Sequence, residues 1–282
     1  MMSRWPLLIA AFALLLPGPG AEAYATPLEV KATAAPVVFA PHRAIYHMSL
    51  ASAKNGSSLA EASGELALDW SDACDGWAVQ QRMQLHFAYA EGDEADILST
   101  IVSWESKDGN RYNFNVRRVT NEKETEDFRG TATLNEQGGS GIYTVPKGKT
   151  VKLPPGTLFP TAHTALLLEK AMAGEKLFTR HVFDGSDEEG AADVSAFIGG
   201  RVDPAQANDL PADLRGNPLL AQPAWPIRLA FHGEETETGE PDYEMSLTLQ
   251  PNGVSRFIMI DYGDFTISGA LVKLEALPGS GC

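Results

Sequence analysis

The sequence contains only two cysteines, Cys74 and Cys282, and it has no Cys-x-x-Cys motif that would support thiol chemistry. It also lacks a Gly-x-Ser-x-Gly nucleophile elbow and a phosphate-binding glycine loop before a helix. The six histidines do not have the spacing of metal ligands. We therefore expect no catalytic residue, no metal site and no cofactor.

Basic residues are scarce relative to acidic ones, with 22 Lys and Arg against 37 Asp and Glu, so the formal net charge is -15. This charge repels polyanions and argues against nucleic acid as a partner. A hydrophobic content of 44% supports a folded core.

The single long apolar run lies at the N-terminus and predicts a secretory signal peptide over residues 1–25. Arg4 precedes about 12 apolar residues, Trp5 to Leu16, whereas roughly 20 are needed to cross a bilayer. Small residues then allow cleavage near Ala23 or Ala25. We expect a flexible leader over 26–36, a mature chain without a transmembrane segment, and a periplasmic location. An uncleaved membrane anchor is the alternative.

In an exported chain the two cysteines most simply form a disulfide. Both stand in turn-like or tail sequence, where disulfide geometry is easiest to satisfy. The alternative is a pair of exposed thiols that sense redox conditions.

Alternation of apolar and polar residues dominates the chain from residue 44 onwards. In the segment 77–89, Val79, Met83 and Phe87 share one face and Arg82 and His86 the other, which is typical of a strand with one buried face. Similar segments predict strands at 44–50, 60–70, 77–89, 96–104, 111–117, 128–134, 142–145, 177–183, 193–198, 225–232, 243–249, 254–262 and 265–274. Turns are predicted at 108–110, 138–141, 251–253 and 262–264.

One helix interrupts this series of strands. Thr161 is the predicted N-cap, the helix covers 162–173, and Gly174 ends it. We expect the helix to lie against the sheet and fill its concave side. No linker separates the strands, so residues 37–282 are predicted to form a single domain.

Two acidic segments, 184–189 and 234–240, superficially resemble calcium loops but lack the ligand spacing of that motif. We interpret both as solvated hairpins. The segment 203–223 is predicted to be a loop with one short helical turn.

Several short motifs occur in a characteristic order. They are Ala40-Pro41-His42-Arg43-Ala44-Ile45-Tyr46, Cys74-Asp75-Gly76-Trp77, Leu153-Pro154-Pro155-Gly156-Thr157-Leu158-Phe159-Pro160, Phe183-Asp184-Gly185 and the cysteine at position 282. Together they resemble the cell-envelope integrity protein EipB family of alphaproteobacterial periplasmic proteins.

The resemblance implies a mainly β fold, in which a large antiparallel sheet is wound as an open, barrel-like β-spiral with one main α-helix. It implies that a disulfide between Cys74 and Cys282 closes this fold. It also implies a non-enzymatic protein that maintains cell-envelope integrity by binding other envelope proteins, with a periplasmic tetratricopeptide-repeat protein as partner.

The residues are also consistent with two other functions. A curved sheet can carry a lipid or a lipoprotein acyl chain on its concave side, and the aromatic residues that could line such a cavity are Phe87, Tyr89, Trp104, Phe114 and Trp225. These aromatics are equally consistent with an ordinary core. A hydrolase of envelope polymers would need two carboxylates that converge in a cleft.

Overall fold

The computed structural model describes residues 37–204, 210–233 and 239–282. The predicted signal peptide at 1–25 and leader at 26–36 lie outside the described residues, as does most of the acidic segment 234–240. Those assignments therefore stay predictions, as does the single domain over 37–282.

Fourteen strands in the described residues form one sheet in which every neighbouring pair is antiparallel. The strands are β1 (His42–Ala53), β2 (Leu59–Asp72), β3 (Gly76–Tyr89), β4 (Glu94–Ser106), β5 (Arg111–Thr120), β6 (Lys123–Asn135), β7 (Gly138–Val145), β8 (Thr150–Leu153), β9 (Leu177–Val182), β10 (Ala192–Ile198), β11 (Trp225–His232), β12 (Tyr243–Leu249), β13 (Ser255–Asp261) and β14 (Phe265–Ala276).

The order of the strands brings the first and the last strand together in the middle of the sheet. From one edge to the other the order is β8 to β1, then β14 down to β9. The first and second halves of the sheet are therefore joined by the pairing of β1 with β14. The edge strands β8 and β9 do not pair with each other, so the sheet stays open. The predicted fold class is confirmed.

Strand β3 shows the two faces that its sequence predicts. Leu85 and Phe87 are buried, whereas Gln80, Arg82 and Gln84 are exposed. A contact that crosses over an intervening strand marks the concave face: the hydroxyl of Tyr46 on β1 donates to the carbonyl of Ser255 on β13, and β14 lies between these two strands.

Three clusters of apolar side chains fill the concave face. The first contains Tyr46, Leu85 and Ile267 near the centre of the sheet. The second contains Trp70 and the inward side chains of β10 and β11. The third is aromatic, with Tyr112, Phe114, Tyr143, Phe159 and Phe183 between β5, β7 and the segments that flank the helix.

Helix α1 (Pro160–Met172) buries Leu167, Leu168 and Ala171 in the second cluster. The predicted N-cap at Thr161 is wrong, because the helix begins at Pro160 and its N-cap is Phe159. A carboxylate from the sheet replaces a local cap: Glu105 of β4 accepts hydrogen bonds from the amides of Thr161 and Ala162. The predicted stop at Gly174 is confirmed by its φ of 80°.

Two further local expectations are wrong. The predicted turn at 138–141 is the start of β7, and the hairpin before it turns at Glu136 and Gln137 instead. Strand β8 was not expected, because its four residues follow a lysine-rich turn and give too short an alternation to recognise.

The segment 210–224 also fills the concave face, which was expected only of α1. It contains two short 3-10 helices, Ala212–Leu214 and Pro218–Leu220, where a single helical turn was predicted. Leu214 and Leu220 belong to the first apolar cluster. Within the part of the chain that the structure describes, no helix has both the length and the apolar character to cross a membrane.

A glycine in β7 makes room for the aromatic cluster. A Cβ atom on Gly141 would lie 2.8 Å from Cζ of Phe183 and 2.9 Å from Cγ2 of Val151. We predict that Gly141→Ala lowers the free energy of unfolding by about 1 to 3 kcal/mol, because added volume strains a packed core. Urea denaturation measures this change.

Gly200→Ala is the matched control, because no atom lies within 4 Å of a Cβ at that position. Its expected effect is within about 0.5 kcal/mol. Equal stability of the two variants would show that the ring of Phe183 can move away freely.

Candidate binding surfaces and the disulfide

The disulfide between Cys74 and Cys282 is present in the structure. The two Cα atoms lie 5.8 Å apart and the residues are 208 positions apart in the chain. Cys74 occupies the turn between β2 and β3 with a positive φ of 63°, and both cysteines are exposed. The bond therefore ties the tail that follows β14 to the neighbouring half of the sheet.

The tail reaches this turn by crossing the start of β1, where the amide of Leu277 donates to the carbonyl of Pro41. Near the disulfide, the ammonium of Lys107 lies 2.9 Å from the carboxylate of Asp72. It also lies 3.3 Å from the centre of the Trp77 ring. Hydrogen bonding to Lys107 lowers the pKa of Asp72, with a further contribution from Ser280 of the tail.

The five aromatic residues expected to line one cavity do not come together. Phe87 belongs to the first apolar cluster, Trp225 to the second and Phe114 to the third, and Tyr89 packs beside the first. For these residues the interpretation as ordinary core is the better one.

Trp104 lies on the convex face, which contradicts its assignment to a cavity on the concave side. Its neighbour Glu105 points inward to α1, so Trp104 points outward by the alternation of the strand. There its ring covers Gly76 and lies 5.3 Å beneath the guanidinium of Arg111.

A different set of aromatic rings forms a continuous row at one end of the concave face. Phe231 stacks on Tyr243 at 4.4 Å, and Tyr262 lies 6.4 Å from Tyr243 and 5.1 Å from Phe265. Phe265 in turn meets Phe87 at 5.8 Å. Tyr262 is 40% exposed, so the row opens to solvent.

Sequence reasoning missed this row because its members come from β11, β12 and the β13–β14 hairpin.

An ion pair on the inward side of β5 and β6 lies near the aromatic row. Arg118 pairs with Glu126, and the charge of Arg118 counteracts the effect of burial, which raises the pKa of Tyr262.

The acidic segment 184–189 is not a freely solvated hairpin. The hydroxyl of Tyr112 donates to the carbonyl of Asp184, and the hydroxyl of Tyr143 donates to the carbonyl of Asp187. Gly185 is buried against the ring of Phe114. The backbone of this segment therefore closes the aromatic cluster, and only the side chains of residues 187–189 are exposed.

The convex face carries a shallow groove of about 410 Å³ across β10 to β13. Its lining is mostly apolar, with Phe197, Pro226 and Phe257 among the side chains that face it. Phe197 is 48% exposed. Arg228, which pairs with Glu244, supplies a charged margin.

Two buried ionisable groups lie at the start of the helix. Burial raises the pKa of Glu105 to about 7. Burial lowers the pKa of His163 to about 4, and Arg180 acts in the same direction. In the described part of the chain, no three His, Cys, Asp or Glu side chains are grouped so that they could hold a metal ion.

Comparisons with known proteins cover nearly the whole sheet. Residues 33–278 match the model of the EipB-like family. The chain is 28% identical over 244 residues to the cell envelope integrity protein EipB of Brucella abortus strain 2308, and the match covers 86% of each chain. A crystal structure of a β-barrel-like protein of a domain of unknown function, also from Brucella abortus, superposes with a TM-score of 0.78. That structure is 27% identical, and the match covers 86% of this chain and all of the other.

The exposed disulfide leads to a prediction about stability. Cys74→Ser and Cys282→Ser should each lower the melting temperature by roughly 5 to 15 °C, because the crosslink closes a loop of 208 residues. The chain-entropy treatment gives about 5 kcal/mol as an upper value for such a loop. Thermal unfolding with and without reductant measures the effect.

The double variant is the control, because it should match either single variant if loss of the crosslink is the whole effect. A melting temperature of the parent protein that does not change with reductant would contradict a structural role.

Proposed function

The chain belongs to the EipB-like family, and from that premise we propose that it maintains the integrity of the cell envelope as a non-enzymatic periplasmic protein. It does so by binding other envelope proteins. The similarity to the EipB protein along 244 residues carries this proposal, because it spans the strands of both halves of the sheet.

Two features of the chain support a location outside the cytoplasm. A disulfide persists in oxidising compartments and is rare in the cytosol. The N-terminal sequence has the charge, apolar stretch and small residues of an export signal.

The groove on the convex face is the proposed contact surface. Its aromatic and proline side chains are of the kind that anchor protein interfaces. A net charge of -15 favours a partner with a basic surface. The family resemblance implies that this partner is a periplasmic tetratricopeptide-repeat protein. We further propose that the partner places an apolar segment in the groove.

We predict that Phe197→Asp abolishes rescue of a strain that lacks the gene, because a carboxylate in the groove opposes an apolar partner. Growth of the complemented strain on a detergent and on a cell-wall antibiotic measures the rescue. The variant protein should keep the melting temperature of the parent, since Phe197 is 48% exposed.

Ile142→Asp is the matched control, because Ile142 is 53% exposed on the convex face of β7 and lies outside the groove. It should rescue growth fully. Full rescue by both variants would reject the groove while leaving the envelope role intact, whereas normal growth of the deletion strain would reject the role itself.

A second candidate function is the transport of a lipid or a lipoprotein acyl chain on the concave side. The row of rings from Phe231 to Phe265 favours it, because this row is continuous, apolar and reaches solvent at Tyr262. The inward pair Arg118 and Glu126 would lie where a polar head group emerges.

If the protein is a carrier, native mass spectrometry of protein purified without detergent should detect one acyl-chain mass per chain. Tyr262→Ala should weaken acyl-chain binding, and so reduce this occupancy, at least about fivefold. The reason is that a single aromatic contact contributes about 1 kcal/mol to the free energy of binding. Val272→Ala, at an exposed position of β14, is the control. Bare parent protein would reject the carrier function.

A further inference from the structure

Glu105 connects the sheet to the first turn of α1 with both of its carboxylate oxygens. Its Oε2 accepts from the amide of Thr161 at 2.7 Å, and its Oε1 accepts from the amide of Ala162 at 2.8 Å. The side chain comes from the inward face near the end of β4, and Glu105 is 2% exposed.

The helix depends on this carboxylate because its own sequence supplies no cap. Phe159 at the N-cap has no side-chain acceptor, and Pro160 at the first helical position has no amide hydrogen. The next amides, those of Thr161 and Ala162, are the two that Glu105 binds. A negative charge at this place also interacts favourably with the helix dipole.

The groups around Glu105 do not neutralise its charge directly. Its cross-strand neighbours on β3 and β5 are Trp77 and Tyr112. The ammonium of Lys107 is held by Asp72 and by the ring of Trp77.

Other titratable groups near the helix start are occupied or neutral. Asp108 accepts from the hydroxyl of Ser106 and the amide of Asn110. Asp184, whose carbonyl binds the hydroxyl of Tyr112, has its pKa raised by burial. On α1 itself, burial lowers the pKa of His163 from 6.5 to about 4, so this side chain is neutral above that pH as long as it stays buried.

The hydroxyl of Thr161 can bind the carboxyl group of Glu105 in either of its protonation states. Its hydroxyl interacts with the Glu105 carboxyl group, and a hydroxyl can donate to a carboxylate or accept the proton of a carboxylic acid. The protonated and ionised forms of Glu105 differ in the free energy of burial, because burying an ionised carboxylate without a cationic partner is unfavourable.

We propose that Glu105 is a proton-operated latch between β4 and α1. With its proton the carboxyl group stays buried and holds the helix start on the sheet. Without the proton, the same contact opens more readily, because opening returns the charge to water. This inference does not depend on the proposed function.

The direction of the pH dependence follows from linkage. In the closed state burial raises the pKa of Glu105 to about 7, whereas an exposed glutamate has its ordinary value of 4.5. Between these values the carboxyl group of Glu105 releases a proton on opening, so its contribution to the opening constant rises up to about tenfold per pH unit. This contribution grows about fortyfold between pH 5 and pH 7 and levels off above about pH 8.

Hydrogen–deuterium exchange of the full-length mature protein at pH 5, 6, 7 and 8 tests the latch. Each rate at residues 161–164 is divided by the intrinsic rate of a free amide at the same pH, which gives the opening constant. Opening of this segment also exposes His163, whose pKa then returns from about 4 to 6.5, and this makes the opening constant fall with pH in both proteins. The quantity that reports Glu105 is therefore the opening constant of the parent protein divided by that of Glu105→Gln, whose side chain cannot ionise. This ratio should rise with pH. Amides of β12 serve as the internal reference.

Glu126→Gln is the matched control, because it makes the same chemical change in a carboxylate that pairs with Arg118 on a different strand. It should keep the pH dependence at α1. Identical profiles of the parent protein and Glu105→Gln, or a ratio of their opening constants that falls with pH, would overturn the proposal.

A measurement on the unmodified protein covers the case in which Glu105→Gln fails to fold. Carbon-13 NMR of the glutamate carboxyl groups should show Glu105 titrating near neutral pH, together with the exchange change at α1. Titration of Glu105 in the ordinary glutamate range would overturn the latch.

Discussion

The rest of the structure depends on one constraint, which is that a sheet of fourteen strands ends in two edges that do not pair with each other. Exposed edges invite pairing with other chains. Here the chain itself pairs with the C-terminal end of β9, because the amide of Leu158 donates to the carbonyl of His181 and the amide of Phe183 donates to the carbonyl of Leu158. The other edge strand, β8, has only four residues. The segments that flank α1 therefore both protect an edge and direct the helix into the concave side.

An open sheet also needs other elements to fill its concave face. Helix α1 packs against the second half of the sheet through Leu167 and Leu168, while its first turn is held by β4 in the first half. This crossing places an uncapped helix start inside the protein, where an unpaired amide would cost free energy. Glu105 satisfies these amides, but the charge that suits the helix is costly to bury. The titration of this one carboxyl group is a consequence of how the interior is filled.

Local patterns in the sequence were enough to recognise every strand except β8, because the longer strands bury one face and so alternate as β3 does. The helix stop at Gly174 and the pairing of two cysteines were also accessible. The cap of α1 was not, since Glu105 lies 56 positions from Thr161 and only the sheet brings them together. The glycines of β7 were predicted to form a turn. The reason for a glycine at position 141 is the nearby ring of Phe183, and this contact is visible only in the folded sheet. The groove and the aromatic row likewise depend on strand order, which no local pattern specifies.

The disulfide and the central strand pair close the same long loop of chain. Ser49 of β1 and Ser268 of β14 face each other although they are 219 positions apart, and the cysteines are 208 apart. Closing this loop lowers the conformational entropy of the chain, whether the strand pair or the disulfide closes it. Once the disulfide has formed, the pairing of β1 with β14 therefore loses little further entropy. This explains how two exposed cysteines can stabilise the sheet without adding a packed contact. The disulfide lies beside the central strand pair, whereas the groove that we propose as the contact surface lies across β10 to β13, so changes in the groove would leave the closure of the fold unchanged.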